Sequence, residues 1–227
     1  GNVSYRCNMV SLDDNDLPLA QRRILSHSGG SIDGGSSIEL ITWLCAQGEF
    51  KAAAQAIGMK IHPTPSFRHI AVQDSAELTG FKATPPHDIL KQTVGAYLPE
   101  GNKTADDLRA LMEIGARLLK DHEINRKRQS EGLLPANGIW FWAEGTAVGL
   151  DDFYKKYGVQ GVVISAVPLV FGIGALAGLK MIEVEGATGE LETNYEGKAE
   201  AALEALNNGA DFAAVHVEAP DECTHNG

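Results

Sequence analysis

The sequence has few cysteines and no long apolar run, and each of these features argues against a class of protein. Its three cysteines, Cys7, Cys45 and Cys223, are odd in number and far apart. They provide no disulfide framework and predict a reducing, cytoplasmic location. No apolar stretch reaches the ~20 residues of a membrane-spanning helix. The composition therefore argues against a disulfide-stapled secreted domain and against a membrane protein.

Positive charge is also scarce. The 227 residues include 19 lysines and arginines against 30 aspartates and glutamates, a formal net charge of −11. Such an acidic chain is not expected to bind nucleic acid or a membrane surface. A protein of this charge that handles a phosphorylated substrate must gather its few cations locally.

Apolar residues make up 44% of the chain and charged residues 22%, as in an ordinary folded protein of one or two domains. Up to Pro135, strands, helices and glycine-rich loops are mixed. The spacing of apolar residues predicts one long helix from Thr104, the proposed start of a capping box, to about Ser130. The other elements predicted here are strands at 5–10 and 67–72 and helices at 36–47 and 50–57.

Beyond Pro135, short apolar strands alternate with helices of about ten residues. This alternation predicts βαβ units and a parallel sheet, an α/β fold. The predicted strands are 139–142, 162–165, 180–184 and 211–217, and the predicted helices are 151–157, 169–177 and 198–207. We therefore predict a first domain over residues 1–135 and a second over residues 136–227.

The end of the chain carries a pair of potential metal ligands. Asp221 and His225 are four residues apart and follow the last predicted strand. A carboxylate oxygen and an imidazole nitrogen suit zinc, manganese or iron. Two ligands do not complete a site, so the pattern is either a coincidence or part of a larger active site.

Several short motifs follow one another in a fixed order. They include Tyr5–Asn8, Ser66–His69, Ala83–Ile89, Pro135–Asn137, Gly186–Gly189, Thr193–Ala199 and His216–Glu222. In this order, over nearly the whole chain, they resemble the archaeal-type 2,3-bisphosphoglycerate-independent phosphoglycerate mutases. Those enzymes belong to the alkaline-phosphatase-like metalloenzymes. The resemblance implies part of an alkaline-phosphatase-like parallel-sheet core, residues 136–227, and an inserted α+β cap that covers the substrate, residues 1–135.

The resemblance also implies a reaction. The family interconverts 3-phosphoglycerate and 2-phosphoglycerate in glycolysis through a phosphoserine, with two divalent metals. Manganese is the expected metal, and magnesium, zinc and cobalt are the alternatives. By resemblance, Asp221 and His225 are two ligands of one metal.

The nucleophilic serine and the remaining ligands of the family lie in segments that this sequence does not contain. We therefore expect no catalytic nucleophile in the chain and no activity from the chain alone. Missing core strands would leave sheet edges open, from which we predict a homodimer.

Five side chains are candidates for binding phosphoglycerate: Arg68, His69, Asn125, Arg128 and Asn137. Arginine forks suit carboxylate and phosphate groups. Each candidate has a structural alternative: a surface ion pair at the strand, a solvated helix end where cations are favoured in any case, or a hinge at the domain junction. Among the other histidines, His87 is interpreted as part of a helix cap rather than a proton relay, and His27 as part of a flexible loop. His216 carries no strong signal.

Two residues depart from the family pattern. Where members commonly have Ser-Ala-Val-Asp-Leu-Val-Lys-Gly-Ile-Gly, this chain places Pro168 at the acidic position and Phe171 at the lysine position. Losing one electrostatic donor at such a site typically costs ~10²–10³ in rate. Three hypotheses therefore stay open: a phosphoglycerate mutase, a metal-dependent phosphatase or phosphotransferase of the same superfamily, and a non-catalytic relative that kept only the fold.

Overall fold

A computed structural model describes residues 1–13, 16–189 and 191–218. The chain divides into two compact units, Gly1–Ala147 and Val148–Gly227. The division falls after Ala147 and not after Pro135, where the sequence predicted it. The reason is that the strand around Ile139–Trp142 pairs with a strand of the first unit rather than with the predicted parallel sheet.

The first unit is built on a five-stranded antiparallel sheet. Its central strand, β1 (Val3–Leu12), pairs with β4 (Arg68–Gln73) on one side and with β5 (Gly138–Thr146) on the other. Strand β3 (Met59–His62) adds to β4, and the short β2 (Ile24–Ser26) pairs with the end of β1. The sequence analysis missed β2 and β3.

Four helices belong to the first unit: α1 (Gly34–Ala46), α2 (Gly48–Ala56), α3 (Lys103–Leu119) and α4 (Glu123–Ser130). The apolar face of α3 is buried, and a Cβ atom on Gly115 would lie 3.1 Å from Ile139 of β5. This close approach leaves no room for a larger residue without adjustment of Ile139.

The long helix predicted from Thr104 to Ser130 is wrong in two respects. It begins one residue earlier and is capped by Asn102, whose side chain accepts from Ala105 N–H. It also breaks after Leu119. There His122 adopts an extended conformation and its Nδ1 accepts from Ile124 N–H at 3.2 Å, which starts α4. A local cap interrupts a helix whose apolar periodicity continues across the break.

The main apolar core lies inside the first unit. Its members run from Val3 to Trp142 and come from both the strands and the helices. Trp140, Tyr5, Phe50 and Phe141 are its largest fully buried apolar side chains. Aromatic side chains of this size contribute much of the apolar area that folding removes from water.

The second unit contains the predicted parallel sheet. Strand β6 (Gly161–Ile164) lies between β7 (Lys180–Ile182) and β8 (Phe212–Val215), both parallel to it. The helices are α5 (Phe153–Tyr157), α6 (Pro168–Leu176) and α7 (Tyr195–Asn207). Pro168 is the first residue of α6, a position where its missing N–H costs no hydrogen bond. The βαβ prediction is confirmed.

None of the helices in the described part of the chain has the length and apolar character that a membrane span requires.

Candidate functional site

One face of the antiparallel sheet collects cations and aromatic rings. Alternation along β1 and β4 turns Arg6 and Arg68 to the same face. The opposite face, with His69 and Ile139, packs against α1 and α3. On the cation face, Arg6 is paired in register with Trp142 of β5, and Trp142 Nε1 donates to Asn8 Oδ1 at 2.9 Å.

The two guanidinium groups lie against aromatic rings. The Arg6 guanidinium carbon is 4.9 Å from the centre of the Trp142 ring, and that of Arg68 is 5.0 Å from the centre of the Phe67 ring. Stacking of this kind fixes a guanidinium while leaving its N–H donors available. Within the described residues, neither guanidinium forms an ion pair with a carboxylate.

The two arginines are close enough to sense each other's charge. Burial and the neighbouring charge of Arg6 lower the pKa of the Arg68 guanidinium. Two like charges held near each other without carboxylates repel, and a bound anion removes that cost. The arrangement is suited to a carboxylate or a phosphate group.

Two histidines complete the surroundings. Asn8 Nδ2 donates to the carbonyl of His27 at 2.9 Å, which fixes the loop that carries the ring. The His27 ring centre lies 6.1 Å from that of His87, and His87 lies 5.2 Å from Trp142. Burial, followed by the charges of His87 and Arg68, lowers the pKa of His27. We name this group the arginine site; its residues are Arg6, Asn8, His27, Arg68, His87 and Trp142.

Of the candidates from sequence, Arg68 alone is part of the arginine site. His69 is fully buried on the other face. Its Nδ1 accepts from Thr64 N–H at 3.1 Å, so in the neutral ring Nε2 carries the proton and donates to Ser37 Oγ, also at 3.1 Å. Burial lowers the pKa of His69 to about 4. The imidazole is therefore neutral at physiological pH and joins α1 to β4.

Asn125, Arg128 and Asn137 are engaged with main-chain groups. Asn125 Nδ2 donates to the carbonyls of Leu119 and Ala136, and its Oδ1 accepts from Ala136 N–H. Asn137 exchanges two hydrogen bonds with the backbone of Leu12, at 2.8 and 3.0 Å.

Arg128 donates to the carbonyls of Gly29 and Gly30, at 3.1 and 2.7 Å. These bonds hold the loop that contains His27, so Arg128 supports the arginine site without being part of it.

Sequence reasoning missed Arg6, His27 and His87 as members of one site. Arg6 had a usable signal, since it is the one charged residue of β1. His27 and His87 are 60 positions apart, and only the folded chain brings them together. His87 and Asp88 are not a tight pair; their Nε2 and Oδ1 atoms are 3.6 Å apart and both side chains are largely exposed.

The metal ligands predicted from sequence, Asp221 and His225, lie outside the described residues. Within the described residues, no group of three or more His, Cys, Asp or Glu side chains could hold a metal ion.

These features define a protein of mixed α/β class with two neighbouring arginines on one face of its antiparallel sheet. The family model of 2,3-bisphosphoglycerate-independent phosphoglycerate mutase matches residues 1–125. The chain belongs to that family, and the resemblance inferred from its motifs is confirmed.

Curated relatives agree. The 2,3-bisphosphoglycerate-independent phosphoglycerate mutase 2 of Methanothermobacter thermautotrophicus is 38% identical over 226 residues, which are 100% of this chain and 52% of that protein. The mutase of Methanosarcina mazei is 41% identical over 226 residues, 100% of this chain and 53% of that protein. A probable mutase of Geobacter sulfurreducens is 40% identical over 226 residues, 100% of this chain and 54% of that protein. The chain thus spans about half the length of the curated relatives that it matches.

Two solved structures share the fold. A protein from Pyrococcus horikoshii is 22% identical, with a TM-score of 0.66 over 99% of this chain and 49% of that chain. The cofactor-independent phosphoglycerate mutase from Thermoplasma acidophilum is 23% identical, with a TM-score of 0.58 over 96% of this chain and 54% of that chain.

Proposed function

We propose that this chain acts as part of a cofactor-independent phosphoglycerate mutase that interconverts 3-phosphoglycerate and 2-phosphoglycerate through a phosphoserine. Family membership supports the reaction, and the arginine site supports an anionic substrate. In this proposal the first unit is the cap that covers the substrate, and the second unit is part of an alkaline-phosphatase-like core. A cytoplasmic location and a homodimer belong to the same proposal.

The observation that carries the proposal is the pair of stacked guanidiniums. Arg6 and Arg68 are fixed by Trp142 and Phe67 and have no carboxylate partner within the described residues. A planar fork of N–H donors matches the two oxygens of a carboxylate. We therefore assign the glycerate carboxylate to the arginine site, with Arg6 and Arg68 as binding residues and His27 and His87 at its rim. Asn125, Arg128 and Asn137 act in this proposal as positioning residues, because their polar atoms hold the backbone.

Two divalent metals, with manganese first among them, are proposed from the chemistry of the Asp221 carboxylate and the His225 imidazole, which together suit such an ion. When bound, the metals would neutralise charge on the phosphoryl oxygens. What this chain's own residues provide is binding and orientation of the substrate. The chain alone is expected to be inactive, because it lacks the serine that the resemblance assigns as nucleophile.

The test uses a full-length protein of the relatives' size that contains this chain. Conversion of 3- to 2-phosphoglycerate is followed with manganese present and bisphosphoglycerate absent, and free phosphate is measured in parallel. Conversion without free phosphate is the expected result. A folded protein that binds metal but shows neither conversion nor phosphate release would contradict the proposal. That result would favour a non-catalytic relative.

Phe171 supports a second candidate, a metal-dependent phosphatase. It occupies a half-buried position on α6 where the family commonly has lysine. Without that charge the phosphorylated intermediate is less well held, and water competes for it. Release of phosphate without conversion would select this alternative. The matched control is Phe171→Lys, which should lower the ratio of phosphate release to conversion.

A further inference from the structure

The second unit has a hydrogen-bonded cluster at the carboxyl edge of its parallel sheet. Ser165 follows β6 and His216 follows β8, and their Oγ and Nδ1 atoms are 3.2 Å apart. On its other side, His216 Nε2 lies 3.0 Å from Glu218 Oε2. Val167 N–H donates to Ser165 Oγ at 2.9 Å, which fixes the hydroxyl. The imidazole is therefore held from both sides, at the edge where parallel sheets bind their ligands.

A buried lysine reaches the same edge. Lys198 of α7 is 2% exposed. Its Nζ atom donates to the carbonyl of His216 at 3.3 Å and to the carbonyl of Thr188 at 3.5 Å. Both bonds are long, and an ammonium group has three donors. Across the part of the chain that the structure describes, no carboxylate forms an ion pair with Lys198.

A lysine buried in this way lowers the stability of the folded state. Burying an ammonium without a counter-charge costs free energy that two carbonyl contacts only partly offset. Local features that weaken a fold are expected where function requires them. The ammonium lies against the main chain of His216 at the carboxyl edge of a parallel sheet, where its remaining donor can receive an oxyanion.

We propose that Lys198, beside the main chain of His216, forms an oxyanion site for a tetrahedral phosphate group at the carboxyl edge of β6 and β8. A lysine ammonium and an arginine guanidinium suit different anions. A lysine ammonium acts as a point charge that accommodates a tetrahedral phosphate, whereas the planar forks of Arg6 and Arg68 match a carboxylate. This oxyanion site does not rest on the proposed function.

The probe is inorganic phosphate, added to the 227-residue chain in the presence of a chelator so that no metal contributes. Histidine side chains labelled with ¹³C and ¹⁵N are followed by NMR. We expect the ring resonances of His216 to move as phosphate is added. The buried ring of His69 is the internal control and should not move, while His27 and His87 report separately on phosphate at the arginine site.

Two variants test the lysine. In Lys198→Met the response of His216 should need about 10- to 100-fold more phosphate, the usual loss for one charged hydrogen bond. The melting temperature should not fall, because a buried charge has been replaced by an apolar chain of similar length. Lys155→Met, on α5 of the same unit and exposed, is the matched control and should bind phosphate as the unchanged chain does.

If the ring resonances of His216 in the unchanged chain do not move at saturating phosphate, the proposal is overturned. This outcome counts even if the Lys198→Met variant does not fold. Wild-type phosphate affinity in Lys198→Met, combined with a lower melting temperature, would likewise overturn it and make Lys198 a structural residue. The mutase assay separates the two proposals. A phosphate response of His216 in a protein that does not interconvert the phosphoglycerates would keep the oxyanion site and contradict the mutase function.

Discussion

The two units of this chain use apolar residues in opposite ways. In the first unit, large side chains such as Trp140 and Phe50 are fully buried in one continuous core. In the second unit, Val162, Val163 and Ile164 of the central strand are the only large apolar side chains buried among the described residues. Leu169 of α6 and Leu203 of α7 are both 62% exposed. A chain segment can thus form a paired sheet without burying its apolar side chains in a core. Among the described residues, only the first unit has both a paired sheet and a continuous apolar core.

The units differ equally in how they hold cations. The arginine site keeps two guanidiniums accessible and fixes them by stacking on aromatic rings. Among the described residues of the second unit, one ammonium is buried, that of Lys198. Arginines stacked on aromatic rings cost the fold less than a buried lysine does. The two proposed anion sites thus differ in what they cost the fold, and measurements of stability can tell them apart.

The largest expected effect concerns folding of the separate units. We predict that residues 1–147 alone unfold in one cooperative transition, because their core is complete. Residues 148–227 alone should show no cooperative transition, because too little apolar area is buried. Urea unfolding followed by circular dichroism checks both. A sigmoidal transition for residues 148–227 would show that the contrast in packing does not control stability.

The next effect is on single side chains. Trp140→Ala should destabilise the chain by about 3–5 kcal/mol, because it leaves a cavity in the core and removes the bond from its Nε1 to Thr84. Leu203→Ala, at an exposed position of α7, is the control and should change stability by less than about 0.5 kcal/mol. The free energy of unfolding in urea measures both. Similar losses for the two variants would contradict the division into a packed and an unpacked unit.

A pH effect follows from His69. Its pKa falls from an ordinary 6.5 to about 4 on folding, because the ring is buried. Between these values the unfolded chain binds the extra proton and the folded chain does not, so stability is full above pH 6.5 and is lost as pH falls toward 4. The loss should approach roughly 3 kcal/mol.

Urea midpoints at pH 7 and pH 4.5 measure this loss, with His69→Gln as the variant in which it should shrink. An unchanged pH dependence in His69→Gln would show that other groups are responsible.

The smallest effect on stability, and a clear one on binding, is expected at Arg68. Arg68→Gln should change the free energy of unfolding by less than about 0.5 kcal/mol, because the guanidinium forms no ion pair with any carboxylate that the structure describes. In the full-length protein it should raise the KM for 3-phosphoglycerate about tenfold or more, because one charge-assisted contact is removed. Arg109→Gln removes a half-buried arginine of α3 that pairs with Asp106, and serves as the control. Equal KM values in the two variants would exclude the arginine site from substrate binding.

Much of the fold could be predicted from local patterns, and the failures have physical causes. Apolar spacing located α3, and the alternation of strands and helices predicted that β6, β7 and β8 form a parallel sheet. The pattern could not show that β5 pairs with β1, because an apolar strand reads alike in parallel and antiparallel sheets. The break before α4 depends on one imidazole nitrogen of His122 accepting from a nearby N–H. Nothing in apolar periodicity records such a bond.

The candidate site was predicted less well than the fold. Motif matching selected Arg68, but it gave equal weight to His69 and Asn125, which are buried and bonded to neighbouring groups. A family motif marks residues that matter and does not separate binding from architecture. That distinction depends on which face of a strand a side chain occupies and on what satisfies its polar atoms. For His27 and His87, the relevant contact is made across 60 positions of sequence.

The pairing of β1 with β5 has a consequence for how the first unit can be moved. Val3 and Thr146 are partners in register, so the outer ends of β1 and β5 lie on neighbouring strands, about 5 Å apart. A host protein would need only two adjacent attachment points, such as the ends of a surface hairpin, to accept the whole unit. Both attachments would connect to the same end of one sheet. A force transmitted through them would therefore act on that end and not on the rest of the unit. The first unit is therefore expected to tolerate insertion as a whole domain into another protein.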